Sequence, residues 1–290
     1  MSAIKALMTG LIDYAGLFPP AKLDMRKAVS NYREYRNGDE AWALGRLIVP
    51  VSRLSEFAEV FNEVCCGEWE FAWLLSALVS DDASEDAKRI ADFAQGAVLI
   101  DTLEVKAETL ADVTAVLDVL PPELTPYVEV DPERAGEMLP VLASRRARAK
   151  IRTGGLTPDA FPESDAVAHF LMQCAAAKVP FKATAGLHHP MRGMRKLTYE
   201  TASPWGHMHG FVNMFMAAAY AYFGKDEPFV QAMLDEESPT AISVAEDCLS
   251  WRGQRLTTEE IEEVRGKFAI CFGSCSFTEP ITELKALGWL

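Results

Sequence analysis

Short apolar runs alternate with amphipathic stretches along almost the whole chain. Eight of the apolar runs have the length and residue types of buried strands. They cover residues 11–18, 45–51, 71–79, 97–103, 126–131, 149–154, 180–187 and 268–277. The stretches with helical periodicity cover residues 25–35, 54–64, 82–96, 110–120, 134–144, 165–178 and 281–287. Such alternation of strands and helices is typical of an α/β protein with a parallel sheet.

A count of eight strands followed by a terminal helix predicts a closed (β/α)8 barrel, the TIM barrel. The alternative is an open doubly wound sheet, which favours a G-x-G-x-x-G turn after its first strand, and the sequence contains no such turn. Residues 190–266, between the last two predicted strands, contain helical stretches at 210–224, 229–236 and 257–266. We therefore expect one barrel domain over residues 1–290 with a helical insertion between strands 7 and 8.

The amino-acid composition argues against nucleic acids and membranes as partners and favours a small ligand. Asp and Glu number 42 against 28 Lys and Arg, so the formal charge is −14, which repels nucleic acids and anionic membranes. The apolar runs are shorter than the roughly 20 residues of a membrane helix, and no signal peptide is recognisable. The six cysteines include no C-x-x-C pair and are expected to be reduced. We expect a cytoplasmic protein that binds a small anionic metabolite.

Polar residues on the predicted strands indicate where the active site lies, because the carboxyl ends of barrel strands form the catalytic face. Asp101 lies on strand 4, and alternation places Lys150 and Arg152 on one face of strand 6, and Lys182 and Thr184 on one face of strand 7. A buried lysine is costly unless it is paired or neutral. Two interpretations follow for the lysines: a Schiff-base amine beside a second cation, or a structural ion network with carboxylates such as Asp101 and Glu129.

Three short motifs resemble the deoxyribose-phosphate aldolase family. Residues 150–154 (KIRTG) share the K-x-x-T-G frame of that family's sixth strand, and residues 181–186 (FKATAG) are similar to its seventh strand, which carries a second lysine. Residues 272–276 (FGSCS) resemble its phosphate-binding F-G-A-S-S segment. The chain departs from the family at Ile151 and Arg152, in residues 186–189 (GLHH) and in the long insertion. The resemblance covers about the second half of the chain.

This resemblance implies a class I aldolase, a lyase that needs no metal. Lys150 would form the Schiff base, Lys182 would be the neighbouring cation, and Asp101 would shuttle protons. Gly273, Ser274 and Ser276 would bind a phosphate or carboxylate of a small oxygenated metabolite. The full set of residues expected to contact substrate is Arg152, Thr153, Thr184, His188, His189, Gly273, Ser274, Ser276 and Asp13.

Four of the five histidines follow strand 7 closely: His188, His189, His207 and His209. They allow three interpretations: acid–base or substrate contacts, a divalent metal bound by His207 and His209, or structural hydrogen bonds. The metal alternative would make the protein a metal-dependent barrel hydrolase or lyase. A third hypothesis is a non-catalytic barrel that binds a small ligand. The Met- and Phe-rich stretch 211–223 is expected to be either buried or an interface in a homo-oligomer.

Overall fold

The predicted alternation of strands and helices is present in the computed structural model, which describes residues 1–65, 72–94 and 96–290. The chain begins with α1 (Ala3–Met8), β1 (Ile12–Tyr14), α2 (Met25–Asn37), β2 (Leu44–Pro50), α3 (Leu54–Cys65), β3 (Trp73–Leu78), α4 (Ala83–Asp92) and β4 (Val98–Lys106). It continues with α5 (Leu110–Val119), β5 (Thr125–Glu129), α6 (Ala135–Ser144), β6 (Arg148–Arg152), α7 (Ser164–Ala177), β7 (Phe181–Thr184), β8 (Gly193–Lys196) and β9 (Trp205–Met208). The remaining elements are α8 (Phe211–Tyr222), α9 (Glu227–Leu234), β10 (Ile242–Val244), β11 (Cys248–Trp251), β12 (Gln254–Thr257), α10 (Thr258–Lys267), β13 (Ala269–Ser274) and α11 (Thr278–Ala286).

Eight parallel strands, β1 to β7 and β13, close into a barrel in which β13 pairs with both β7 and β1. The predicted TIM barrel is therefore confirmed. Most strands are shorter than predicted because the apolar runs continue into the loops; the run at 11–18, for example, contains only β1. The predicted strand at 71–79 begins at Trp73, and residue 71 lies outside the described residues.

The insertion between β7 and β13 differs from the predicted one because it is not purely helical. The three expected helices are present as α8, α9 and α10. The same segment also forms an antiparallel hairpin of β8 with β9 and a three-stranded antiparallel sheet of β10, β11 and β12. These strands have only three or four residues each. Pieces this short carry little periodicity, because what defines them is hydrogen bonding to a partner strand.

Helix α8 completes the layer around the last barrel strands, where it contacts α7, α10 and β13. Every residue from Phe211 to Ala221 is buried. The Phe211 ring stacks on Phe272 of β13 with centroids 5.4 Å apart. Of the two expectations for the stretch 211–223, a buried helix or an interface in a homo-oligomer, the structure shows the first, because most of the stretch is buried within the chain. No helix among the described residues has both the length and the apolar character needed to cross a bilayer.

One irregularity of the barrel sets the geometry of its interior. Along the pairing of β3 with β4, Leu75 is opposite Ile100 but the next residue, Ser76, is opposite Thr102. Asp101 is therefore an extra residue in β4, which is the definition of a β-bulge. A bulge shifts which side chains of a strand point inward, and Glu104 points into the barrel.

Candidate active site

Lys182 of β7 lies at the centre of the barrel and is fully buried. Its Nζ donates to Oδ2 of Asp13 on β1 and to Oε1 of Glu104 on β4, each at 2.7 Å. Burial alone would lower the pKa of Lys182, but the charges of Asp13 and Glu104 outweigh it and raise that pKa well above its ordinary value. Lys182 is thus a permanent cation held between two carboxylates.

Glu104 connects the two lysines, with one oxygen for each. Its Oε1 also accepts a hydrogen bond from Ser76 at 3.0 Å, and its Oε2 accepts one from Lys150 at 3.2 Å. Burial would raise the pKa of Glu104, but Lys182 and Lys150 lower it to about 2. Glu104 was not among the predicted site residues, because the predicted strand ended at residue 103. Its position could have indicated it, because an acidic residue two positions beyond Thr102 has the spacing of a side chain on the same face of the strand.

Lys150 of β6 lies next to Lys182 in the strand register, and of these two lysines it is the one that lines the cavity. Its Nζ is 3.0 Å from Oε2 of Glu129, whose Oε1 accepts from Nε of Arg152 at 3.1 Å. Burial would raise the pKa of Glu129, but Lys150 and Arg152 lower it. The side chains of Lys182, Lys150 and Arg152 are 0%, 4% and 55% exposed, so the three cations form a path from the sealed interior to solvent.

The cavity above Lys150 has a volume of about 540 Å³, which is enough for a small metabolite. It lies at the carboxyl ends of the barrel strands, where the active sites of TIM barrels are found. Both charged and apolar residues line it, among them Ile48, Glu104, Glu129, Lys150, Arg152, Thr184, His188, Gly273 and Cys275. A second cavity of about 550 Å³ adjoins it and shares His188.

The structure corrects the role expected for Asp101. As the bulge residue it precedes Glu104 by three positions, toward the amino end of β4. Its carboxylate pairs instead with the Arg46 guanidinium through two hydrogen bonds of 2.6 Å. Asp101 and Glu104 are three positions apart, a spacing that places two side chains on opposite faces of a strand, and Asp101 also lies at the bulge of β4.

Asp13, expected to contact substrate, lies in the barrel and contacts Lys182. Its Oδ1 accepts from the backbone N–H of Arg46 at 2.8 Å, and its Oδ2 accepts from the Cys271 thiol at 3.1 Å. Asp13 is fully buried and does not line either cavity. It therefore belongs to the ion network and is out of reach of a substrate.

Two glycines of the resemblance motifs hold the ends of β6 and β7 together. A Cβ at Gly154 would lie only 2.9 Å from the Cα of Gly186, and Gly186 has a φ of 75°. Thr153, expected to contact substrate, donates from Oγ1 to the backbone of β7 and is fully buried. Thr184 does line the cavity. This close contact of the two strand ends helps to fix the lysines in register.

The segment after β13 is arranged differently from the phosphate site that the resemblance implies. Gly273 lines the cavity, but Ser274 and Ser276 are not among its lining residues. The Ser276 hydroxyl accepts from the backbone N–H of Glu279 at 3.1 Å and so caps the start of α11. A carboxylate, Glu279, already occupies this helix N-terminus, where an anion would otherwise be stabilised.

The structure separates the four clustered histidines into two pairs. His188 and His189 lie at the barrel mouth and contact Glu279 and Glu283 of α11 at 3.0 and 2.6 Å. Burial would lower the pKa of His188, but hydrogen bonds to Cys275 and Glu279 raise it to about 9. His188 is therefore expected to be protonated at neutral pH.

His207 and His209, the metal ligands of the alternative interpretation, have different partners in the structure. His207 is exposed and lies near Glu237, whereas His209 is buried and its Nε2 contacts the Pro162 carbonyl oxygen at 2.7 Å. The two rings diverge because β9 ends at Met208, between them. In the described part of the chain, the group compact enough for a cation is His189 with Glu279 and Glu283. Both glutamates already pair with histidines, and such a cluster alone does not identify a metal site.

A scan of the chain against protein-family models finds no match, and a search of curated proteins finds none either. The TIM barrel is therefore a finding of the structure, whereas the aldolase-like assignment depends on the short motifs and on the geometry around Lys150.

Proposed function

We propose that the protein is an aldolase-like lyase that forms a Schiff base between Lys150 and a small oxygenated carbonyl compound, one that carries a phosphate or carboxylate. The observation that carries this proposal is the position of the Lys150 amine. It lies at the floor of a metabolite-sized cavity, joined to a second lysine through Glu104 and next to a carboxylate that can take its proton.

Lys150 is the nucleophile in this proposal because Lys182 is inaccessible. Lys182 is fully buried, and Asp13 and Glu104 hold it as a cation. Lys150 lines the cavity, where its Nζ lies 3.2 Å from Glu104 and 3.0 Å from Glu129, the less buried of its two partners. A nucleophilic lysine in a dry pocket beside a second cation is a recurrent arrangement in Schiff-base enzymes.

The reaction begins when the Lys150 ammonium transfers a proton to Glu129 and its free amine adds to the substrate carbonyl carbon. The carbinolamine takes up a proton and loses water, which leaves an iminium. A carbon–carbon bond next to it then breaks, and its electron pair moves toward the iminium nitrogen to give an enamine. The hydroxyl proton of the departing carbon passes to a carboxylate, and an aldehyde leaves. Protonation of the enamine carbon and hydrolysis of the new iminium by water restore Lys150.

Each neighbouring residue has a distinct part in this scheme. Glu129 is the acid–base group, because it lies 3.0 Å from the Lys150 amine and is 16% exposed toward the cavity. Glu104 is a positioning residue, because a pKa of about 2 keeps it ionised. Arg152 is the exposed cation at the edge of the cavity, suited to a phosphate or carboxylate of the substrate.

Borohydride reduction tests the proposal, because it converts an iminium into a stable secondary amine. The protein is incubated with acetaldehyde, pyruvate or dihydroxyacetone phosphate, reduced, digested and mapped by mass spectrometry. We expect the adduct on Lys150 for at least one compound. Lys150→Arg keeps the cation but should lose the adduct, and Lys88→Ala, on the exposed surface of α4, is the control that should retain it.

Two outcomes would overturn this function. One is an adduct confined to surface lysines, or no adduct across the panel. The other is turnover of a cleaved substrate by Lys150→Arg at the wild-type rate. Loss of that turnover after treatment with a chelator would point instead to metal-dependent chemistry.

A further inference from the structure

Cys275 lines the same cavity as Lys150, and its sulfur is the first of three polar groups in a row, followed by His188 and Glu279. Its Sγ is 3.9 Å from Nε2 of His188, and the other ring nitrogen, Nδ1, is 3.0 Å from Oε2 of Glu279. A nucleophile in contact with an imidazole that a carboxylate orients is the arrangement of a catalytic triad. Contacts of this kind are often long before substrate binds.

The fold brings these three side chains together for a definite reason. Cys275 immediately follows β13, and His188 lies in the loop after β7, the strand beside β13 in the barrel. Glu279 lies in the first turn of α11, whose start Ser276 caps by accepting from the Glu279 backbone N–H. The triad is therefore built from a strand end, a loop and a helix start at the catalytic face of the barrel.

Cys275 is buried like the other described cysteines, but it alone among them lines the cavity. Cys65, Cys174, Cys248 and Cys271 are buried and do not line the cavity. Cys271 lies on the same strand four residues earlier, where burial and Asp13 raise the pKa of its thiol to about 12. Cys271 on β13 and Cys275 just after it are therefore a matched pair for comparison. Cys271 is buried beside a carboxylate, whereas Cys275 contacts a histidine and lines the cavity.

We infer that Cys275, His188 and Glu279 form a second covalent centre, one that accepts an acyl group from a small carboxylic ester or thioester. Nε2 of His188 holds the proton of the Cys275–His188 pair while Sγ bonds to the acyl carbon. The bond from that carbon to the leaving oxygen or sulfur breaks, and the leaving group takes the proton from His188. Water then adds to the thioester, and its hydrolysis returns the thiol and releases the acid.

The acyl group and the leaving group can lie in different cavities. His188 lines both the cavity above Lys150 and the adjoining one, whereas Cys275 lines only the first. An acyl group on Cys275 would therefore lie in the cavity that Lys150 also lines, and the imidazole can protonate a leaving group on the side of the adjoining cavity. Tyr199 is 3.6 Å from the sulfur and 3.2 Å from Glu279, and burial and these neighbours raise the pKa of its hydroxyl. It therefore remains a hydrogen-bond donor next to the reacting group.

The test uses the full chain with p-nitrophenyl acetate, in which acyl transfer releases a coloured leaving group. We expect a rapid burst of p-nitrophenol and an acetyl group on Cys275, assigned by peptide mapping after an acid quench. Cys275→Ala should lose both the burst and the acetyl group. His188→Gln should slow acylation about 100-fold, because it removes the imidazole that holds the thiol proton and delivers it to the leaving group.

Controls separate this centre from nonspecific thiol reactivity. Cys248→Ser alters a buried cysteine outside both cavities and should keep the burst. Iodoacetamide labelling gives a second measurement, in which Cys275 should react faster in the wild type than in His188→Gln. Circular dichroism shows whether each variant is folded.

An acetyl group on another cysteine, or equal acylation rates in wild type and folded His188→Gln, would overturn the inference. The readout is the residue that carries the acetyl group, whereas the Schiff-base proposal is read from adducts on Lys150. Either proposal can therefore fail while the other stands.

Discussion

Lys182 and Lys150 are neighbours on adjacent strands and share Glu104, but they occupy two different regions of the barrel. Lys182, Asp13 and Glu104 form a sealed cluster in which the lysine is fully buried and the carboxylates are nearly so. Lys150, Glu129 and Arg152 form the cavity floor, where exposure rises from residue to residue toward the opening. Both regions consist of charged side chains, but the sealed cluster has two carboxylates and one cation, the cavity floor has one carboxylate and two cations, and only the floor becomes accessible to solvent.

That difference determines what each region can do. Charges in the sealed cluster have no water to replace a lost partner, so each must keep its ion pair for the barrel to be stable. Charges at the cavity floor can exchange partners with water or substrate. Glu129 can therefore give up its contact with Lys150 while Arg152 and solvent stabilise it, whereas Lys182 is held between two buried carboxylates.

The largest expected effect comes from removing the sealed cation. Lys182→Met would leave Asp13 and Glu104 buried without their main counterion, and we expect a loss of about 3–5 kcal/mol in the free energy of unfolding. Lys150→Met is the matched variant and should cost less, because Glu129 keeps Arg152 and contact with solvent. Urea unfolding of both variants measures the difference. Equal losses would contradict the distinction between the two regions.

The second effect is a pH dependence caused by Glu104. Its pKa of about 2 in the folded protein lies below the ordinary value of 4.5, so its ionisation stabilises the fold above pH 4.5. This stabilisation, on the order of 3 kcal/mol, is lost as the pH falls through about 2. The stability difference between wild type and Glu104→Gln should therefore shrink from pH 5 downward. Urea unfolding at a series of pH values checks this, and a constant difference would show that Glu104 is not held ionised by the lysines.

The sequence predicted the barrel and the neighbouring lysines because both depend on local regularities. Apolar runs and helical periodicity locate the barrel strands, and simple alternation places Lys150 and Lys182 on inward faces of adjacent strands, where the register pairs them. His188 was also among the expected contacts. These features survive small errors in the ends of the strands.

The misassigned residues depend on contacts between distant parts of the chain. The bulge at Asp101 exists only in the pairing of β4 with β3, so alternation within one strand could not reveal it. The diverging rings of His207 and His209 depend on where β9 loses its partner, and the triad of Cys275 depends on α11 returning to the loop after β7. The sequence pattern within a single strand or helix does not indicate such contacts between distant elements.

The smallest expected effect is that of Asp101→Asn, which tests whether Glu104, and not Asp101, is the carboxylate that serves the two lysines. Asp101→Asn weakens a partly exposed ion pair with Arg46, so it should cost only about 1 kcal/mol in the free energy of unfolding. Because Asp101 does not contact either lysine, borohydride adduct formation on Lys150 should proceed at the wild-type rate. Glu104→Gln, which removes the charge between the lysines, should slow it at least about tenfold. The reverse order, with Asp101→Asn the slower variant, would restore Asp101 as the proton shuttle and would mean that the carboxylate shared by the two lysines is only structural.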